Sequence, residues 1–184
     1  MNQNEFDDLR KLIVTPEPPA LGPQRRPHTD SLEAVNQKLD SQLGSLSARR
    51  QEAIRSAILL WHDHLEASHT ISQNIPGADG SFLHGIMHRR EPDYGNSRYW
   101  FRQVGKHAIF PALAQRVANF LKSKNAPALE SRLLPGGEWN ACVFVDVCEE
   151  TAELAHTHLQ YQLLRGVQAI EFEVLLEYLC AKEK

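Results

Sequence analysis

The sequence has little of what marks several common classes of protein. It contains only three cysteines, Cys142, Cys148 and Cys180, and no Cys-x-x-Cys pair, so a disulfide framework is not expected. Its 20 lysines and arginines do not outnumber its 23 acidic residues, and a net charge of −3 makes nucleic acid a poor partner. This cysteine usage predicts reduced thiols and a cytoplasmic location.

Long apolar runs and common catalytic motifs are missing as well. The most apolar runs, 57–61 and 141–145, are too short to span a membrane, and the acidic start is not that of a secretory signal. The chain has no Gly-x-Ser-x-Gly, no Walker A loop and no Gly-x-Gly-x-x-Gly. We therefore expect neither a membrane partner nor hydrolysis by a nucleophile elbow or a P-loop.

Hydrophobic periodicity indicates an all-α fold. Apolar spacings of three and four predict helices near 5–14, 31–43, 47–72, 81–91, 97–104, 110–124 and 160–181. The helix over 47–72 would be a continuous spine of about 40 Å. We expect a loop at 126–138. Segment 141–147 has strand-forming residues but no partner strand, which favours a helix. An irregular antiparallel bundle of six to eight helices would bury these stripes.

Residues 15–30 contain five prolines and should form neither a helix nor a central strand. The predicted organisation is an N-terminal helix and Pro-rich arm in 1–30, followed by a helical domain in 31–184 with its polar site in 62–107. Three interpretations of the arm stay open: it packs along the domain surface, it is mobile, or it is exchanged between the subunits of a homodimer.

Histidines and carboxylates recur at helical spacing in two neighbouring segments. His62, Glu66 and His69 are four and three residues apart, and the same spacing places a second set on one stripe of the next helix: His84, His88 and Glu91. Because only a short turn separates the helices, the stripes should face each other.

Inward imidazoles and carboxylates from facing helices are how helical bundles hold metals. The metal ligands predicted here are Glu66, His69, His84 and His88, and imidazole with carboxylate suits zinc or non-haem iron. Asp146 and Glu149 could supply the further carboxylates of a di-iron site. A metal-free pocket of hydrogen-bonded histidines is the main alternative, and surface or capping roles are a third.

The segment HRREPDYGNSRYWF, 88–101, combines charge with aromatic side chains. Arginines here could clamp a carboxylate or phosphate beside an aromatic wall, or they could belong to a structural ion-pair network. The candidate ligand-binding residues are Arg89, Arg90, Asp93, Asn96, Arg98, Tyr99, Trp100, Arg102 and His107.

The segment SFLHGIMHRREPDYGNSRYWFRQVGKH resembles the signature of a family of uncharacterised helical proteins of similar size. That signature runs His-x-x-x-His-Arg-Arg-Glu-x-Asp, then Tyr-Trp-Phe and Val-Gly-x-His, and SHTISQ at 68–73 also looks like part of it. The resemblance implies a helical domain with a shared site and no particular activity.

Two functions fit these patterns best. The first is a metal-dependent enzyme acting on a small anionic substrate, with His84, His88 and Glu91 as catalytic residues. The second is a protein that binds or senses a small carboxylate or phosphate without turnover. A helical interaction module that reaches a partner through the arm is a further possibility.

Overall fold

Most of the helices lie where the hydrophobic pattern predicts helical structure. The computed structural model describes residues 3–44 and 46–181. Its helices are α1 (Gln3–Lys11), α2 (Leu32–Gln42), α3 (Ala48–Trp61), α4 (Leu65–Ser72), α5 (Ala78–Arg90), α6 (Tyr94–Val104), α7 (Phe110–Ser123), α8 (Pro127–Leu133), α9 (Ala141–Thr151) and α10 (Leu159–Cys180). A single 3₁₀ turn spans Pro135–Gly137. The described residues contain no strand, which confirms the all-α prediction, although the helices number ten rather than six to eight.

Caps fix where several helices begin. The Ser31 hydroxyl accepts from the N–H of Ala34 at the start of α2, and Asp93 accepts from Asn96 at the start of α6. Asn140 accepts from the N–H of Val143, and α9 follows directly. Side-chain caps satisfy N–H groups that have no partner inside the helix. The helix favoured at 141–147 is thus confirmed.

Two predicted elements are wrong. Residues 126–138 are not a continuous loop, because Pro127 opens the short helix α8; proline suits a first turn, where its missing N–H costs nothing. The predicted spine over 47–72 is divided into α3 and α4. Asp63 lies between them with a φ of 65°, in the left-handed region that interrupts a helix.

A buried carboxylate causes this break. Asp63 accepts from the backbone N–H and the Nε–H of Arg26 and from Nη2 of Arg90, and its side chain is fully buried. Two arginines compensate the carboxylate only if it points into the core, so this long-range pairing overrides the local helical pattern.

Helix α10 lies at the centre of the packing. It contacts α1, α3, α7 and α9, while α5 packs closely on α6 and also contacts α3 and α4. One apolar core is continuous through these contacts, from Leu9 in α1 to Leu179 in α10. None of the helices in the described part of the chain is long and apolar enough to cross a bilayer.

The Pro-rich arm lies against this core. Its backbone N–H at Leu21 donates to the Tyr161 hydroxyl, and the carbonyls of Pro19 and Ala20 accept from Gln168 of α10. Arg26 is buried and donates to the carbonyl oxygen of Trp61. In the described chain the arm therefore follows the surface, as the first of the three interpretations expects.

Candidate metal centre

Three imidazoles from two adjacent helices form one cluster. His69 lies on α4, and His84 and His88 lie one turn apart on α5. One ring nitrogen from each residue lies within 4.8 Å of the other two. The ring centroids are 4.8 Å apart for His69 and His84, 5.3 Å for His69 and His88, and 5.5 Å for His84 and His88. The sequence pattern had predicted these three residues to lie together.

Small residues allow the helices to approach one another here. The hydroxyls of Ser56 and Ser68 lie 2.7 Å apart inside the contact between α3 and α4, and Ser68 also donates to the carbonyl of Ser56. At the start of α5, a Cβ on Gly80 would lie 1.9 Å from the carbonyl oxygen of Ile75. Only glycine fits at this point, so the turn that brings α4 and α5 side by side depends on it.

Helix α6 closes one side of the cluster. The indole of Trp100 stacks on the imidazole of His84 with centroids 4.3 Å apart and an interplanar angle of 23°. Gly85 permits this, since a Cβ there would lie 2.8 Å from the Phe101 ring, and Ser97 donates to the Gly85 carbonyl at 2.7 Å. Trp100 therefore covers His84, while Tyr99 meets Trp100 edge-on and is half exposed. An aromatic wall for a ligand stays a prediction.

His84 and His88 favour the neutral form of imidazole. Burial, followed by the positive charges that His69 and His88 would carry, lowers the pKa of His84 from 6.5 to about 4. Burial also lowers the pKa of His88, although the carboxylates of Asp93 and Glu91 partly oppose it. A neutral imidazole keeps a lone pair, which is the form that binds a metal ion.

Of the other residues on the two predicted stripes, Glu91 lies beside the imidazole cluster, whereas Glu66 and His62 lie outside it. Glu91 caps the C-terminus of α5, and its Oε2 lies 3.8 Å from Nδ1 of His88. Glu66 is exposed on the first turn of α4 and does not belong to the group of close ligand atoms. His62 is turned away by the break before α4, because its Nε2 bonds the carbonyl of Leu12 and its Nδ1 accepts from the N–H of Asp30.

Arg89 and Arg90 are both fully buried away from solvent. Arg89 donates to both carboxylate oxygens of Glu171 and to Gln168, and its guanidinium lies 4.3 Å from the Phe144 ring. Arg90 donates to Asp63 and to the carbonyl of Leu60. The structure thus places these two arginines in internal ion pairs rather than on a surface that a ligand could reach.

The remaining candidates on α6 face α9 or solvent. Arg98 bonds Asp146 at 3.0 Å and Glu149 at 2.6 Å, so these two carboxylates do not join the imidazoles. Arg102 is exposed. Burial raises the pKa of the Cys142 thiol on α9, and the positive charge of Arg102 opposes this rise. Asp93 and Asn96 form the cap of α6, with Asn96 Nδ2 donating to Asp93 Oδ2 at 2.6 Å.

His107 lies apart from the cluster, at a cleft of about 720 Å³ along α7. Its Nε2 donates to Asp79 at 3.1 Å, and its Nδ1 accepts from the N–H of Ile109. Both ring nitrogens are thus engaged inside the protein. The lining of the cleft includes Phe110 and Trp139 but none of the three clustered imidazoles.

Sequence reasoning missed two groups that matter here. Ser72 bonds Nδ1 of His84 at 3.3 Å, and its position three residues after His69 could have indicated it. Glu171 neutralises Arg89 from inside the apolar stretch of α10. The local sequence does not single it out, because Glu173 lies in the same stretch, between Phe172 and Val174.

The donor set suits a divalent transition metal. Three imidazole nitrogens bound to zinc at 2.0–2.1 Å lie about 3.3 Å apart, so side-chain movements of about 1 Å bring these three together on an ion. Three protein ligands leave a fourth position for water or substrate.

In comparisons with known proteins, no family model matches the chain, and no curated protein or solved structure is detectably similar.

Proposed function

We propose that His69, His84 and His88 bind one zinc or iron ion, and that the protein is an enzyme in which this ion activates water. The single observation that carries the proposal is the approach of three imidazole nitrogens to within 4.8 Å of one another. Zinc with three histidines lowers the pKa of its bound water to about 7, which supplies a hydroxide nucleophile at neutral pH.

A small anionic molecule is the substrate class that this centre favours. Three neutral imidazoles leave the full double charge on the metal, so an oxygen anion is attracted to its open position. The charge of the metal takes the place of the arginine clamp, because Arg89 and Arg90 are committed to Glu171 and Asp63. Substrate would approach beside His69, the only partly exposed imidazole of the three.

The same centre without turnover would be a binding or sensing protein for such an anion. The indole of Trp100, which stacks on His84, could form one wall of the binding site for such an anion. We also propose a cytoplasmic location. Its support is that Cys142, Cys148 and Cys180 are not paired in disulfides in the described part of the chain.

Metal binding is tested by titrating untagged, chelator-treated protein with Co²⁺ and recording its visible absorption, with bound metal counted by mass spectrometry. We expect one equivalent per chain in wild type. His69→Asn, His84→Asn and His88→Asn should each weaken binding at least about tenfold while the helical circular dichroism remains.

His28→Asn is the matched control, since His28 is an exposed histidine outside the cluster. Because His84 is buried, its substitution can also affect folding, and the partly exposed His69 provides the cleaner variant. Wild-type protein that binds no Co²⁺, or a His69→Asn variant that binds it as tightly as wild type, refutes the metal centre.

A further inference from the structure

The Nδ1 atom of His88 is buried and has no hydrogen-bond partner among the described residues. Two carboxylate oxygens face it at slightly more than hydrogen-bond distance: Oε2 of Glu91 at 3.8 Å and Oδ2 of Asp93 at 3.7 Å. A buried polar atom without a partner is costly and needs an explanation. Here a small side-chain rotation would bring either carboxylate within hydrogen-bond distance of this nitrogen.

We propose that Asp93 and Glu91 are positioning residues of the metal centre, which accept the Nδ1–H of His88 and so direct its Nε2 lone pair to the ion. This inference rests on the proposed metal site. A histidine that binds a metal through one nitrogen commonly donates the other N–H to a carboxylate, which fixes the tautomer and raises the basicity of the ligand.

The fold holds both carboxylates at the junction of α5 and α6. Glu91 is the C-cap residue of α5, and the N–H of Asp93 donates to the carbonyl of His88 itself at 2.9 Å. Asn96 bonds both carboxylate oxygens of Asp93. Asp93 is therefore held by the start of α6 on one side and by the backbone of the ligand on the other, so it cannot move far from the imidazole.

His84 provides the contrast. Its Nδ1 meets the neutral hydroxyl of Ser72 at 3.3 Å, whereas Nδ1 of His88 faces two ionised groups. A hydrogen bond to a charged acceptor is roughly twice as strong as one between neutral groups. The carboxylates should therefore contribute more to metal affinity than Ser72 does, although none of these groups touches the ion.

The test compares Co²⁺ dissociation constants of the full chain. We expect Asp93→Asn and Glu91→Gln each to weaken binding measurably and the double variant to weaken it by about 10–100-fold. Ser72→Ala should have a smaller effect. Asparagine caps a helix about as well as aspartate, so Asp93→Asn preserves the start of α6. Glu149→Gln removes one exposed negative charge on α9 and is the matched control.

A second measurement separates positioning from a general loss of structure. In the zinc-loaded, nitrogen-15-labelled protein, the His88 ring should show a protonated Nδ1, and the double variant should lose or shift that signal. An unchanged Co²⁺ affinity in the double variant, with wild type binding normally, overturns this inference and leaves the metal centre standing. Wild type that binds no metal overturns both.

Discussion

Helix α5 carries two kinds of buried polar group side by side. His84 and His88 meet mainly other rings, while Arg89 and Arg90 each meet a carboxylate. All four side chains belong to one helix and are almost inaccessible to solvent. The difference teaches that neighbouring polar residues in one motif can be buried in different ways: each arginine is paired with a carboxylate, whereas neither imidazole has a carboxylate at hydrogen-bond distance.

The physical origin of the difference is charge. An arginine is always ionised, so burying it requires a partner that offsets its loss of hydration. An imidazole can instead be buried in its neutral form, and burial lowers the pKa of both His84 and His88. It then needs no counter-ion and retains a lone pair for a ligand.

Removing a carboxylate that pairs with a buried arginine should lower the stability of the protein more than any other change. Asp63→Asn removes the carboxylate shared by Arg26 and Arg90 and leaves buried positive charge uncompensated. We expect the free energy of unfolding to fall by about 3–5 kcal/mol in urea denaturation. Asparagine tolerates the positive φ of position 63, so the loss reports charge rather than backbone strain.

Arg98→Ala is the control for this prediction. Its ion pairs with Asp146 and Glu149 are partly exposed, and such surface pairs contribute about 0–1 kcal/mol. If Asp63→Asn cost no more than Arg98→Ala, the buried arginines would not depend on their carboxylates for stability.

A double-mutant cycle on Arg89 and Glu171 sharpens the comparison. Arg89→Met and Glu171→Leu should each destabilise strongly, because each leaves one buried charge alone. The double variant should lie closer to wild type than either single variant, with a coupling of roughly 2–3 kcal/mol in the free energy of unfolding. Additive losses would show that the two side chains act independently.

The smallest expected effect is a loss of stability in mild acid, which follows from the buried neutral imidazoles. The folded pKa values of His62, His84 and His88 are all below the ordinary 6.5, so the unfolded chain takes up protons first as the pH falls. Stability is therefore complete above pH 6.5 and declines toward the folded pKa of His84, about 4.

We expect the Tm of chelator-treated protein to fall by a few degrees between pH 7 and pH 5, and His84→Asn to make this decline shallower. The pKa values of Asp63 and Asp79 are lowered from 3.8, so these carboxylates take up protons only in stronger acid. They therefore do not contribute to the change in Tm between pH 7 and pH 5. A Tm that is constant over this range, or that rises toward pH 5, would contradict the assignment of neutral buried imidazoles.

Local patterns predicted most of what lies close together in the chain. The spacing of apolar residues predicted helical structure on both sides of the 74–77 turn, although not the break that separates α4 from α3. The interval of four between His84 and His88 placed their rings on one face. The mutual approach of His69 to both rings follows from the short connection between α4 and α5. These features depend on helix geometry and on a short turn.

What the pattern did not predict depends on distant partners. The break at Asp63 requires Arg26 and Arg90, and the burial of Arg89 requires Glu171 on α10. Before those partners are known, an Asp in a helical pattern looks like a surface residue, and paired arginines look like a ligand clamp. The antiparallel order of the bundle, the catalytic residues and the family resemblance stay predictions.

The same contrast bears on the order of folding. The clustered rings and their stacking indole all lie between positions 69 and 100, whereas Arg89 and Glu171 are separated by 82 positions. Closing a short connection loses less chain entropy than closing a long one. We therefore expect helices α4, α5 and α6 to bring the three imidazoles together as a local unit before α10 docks against them.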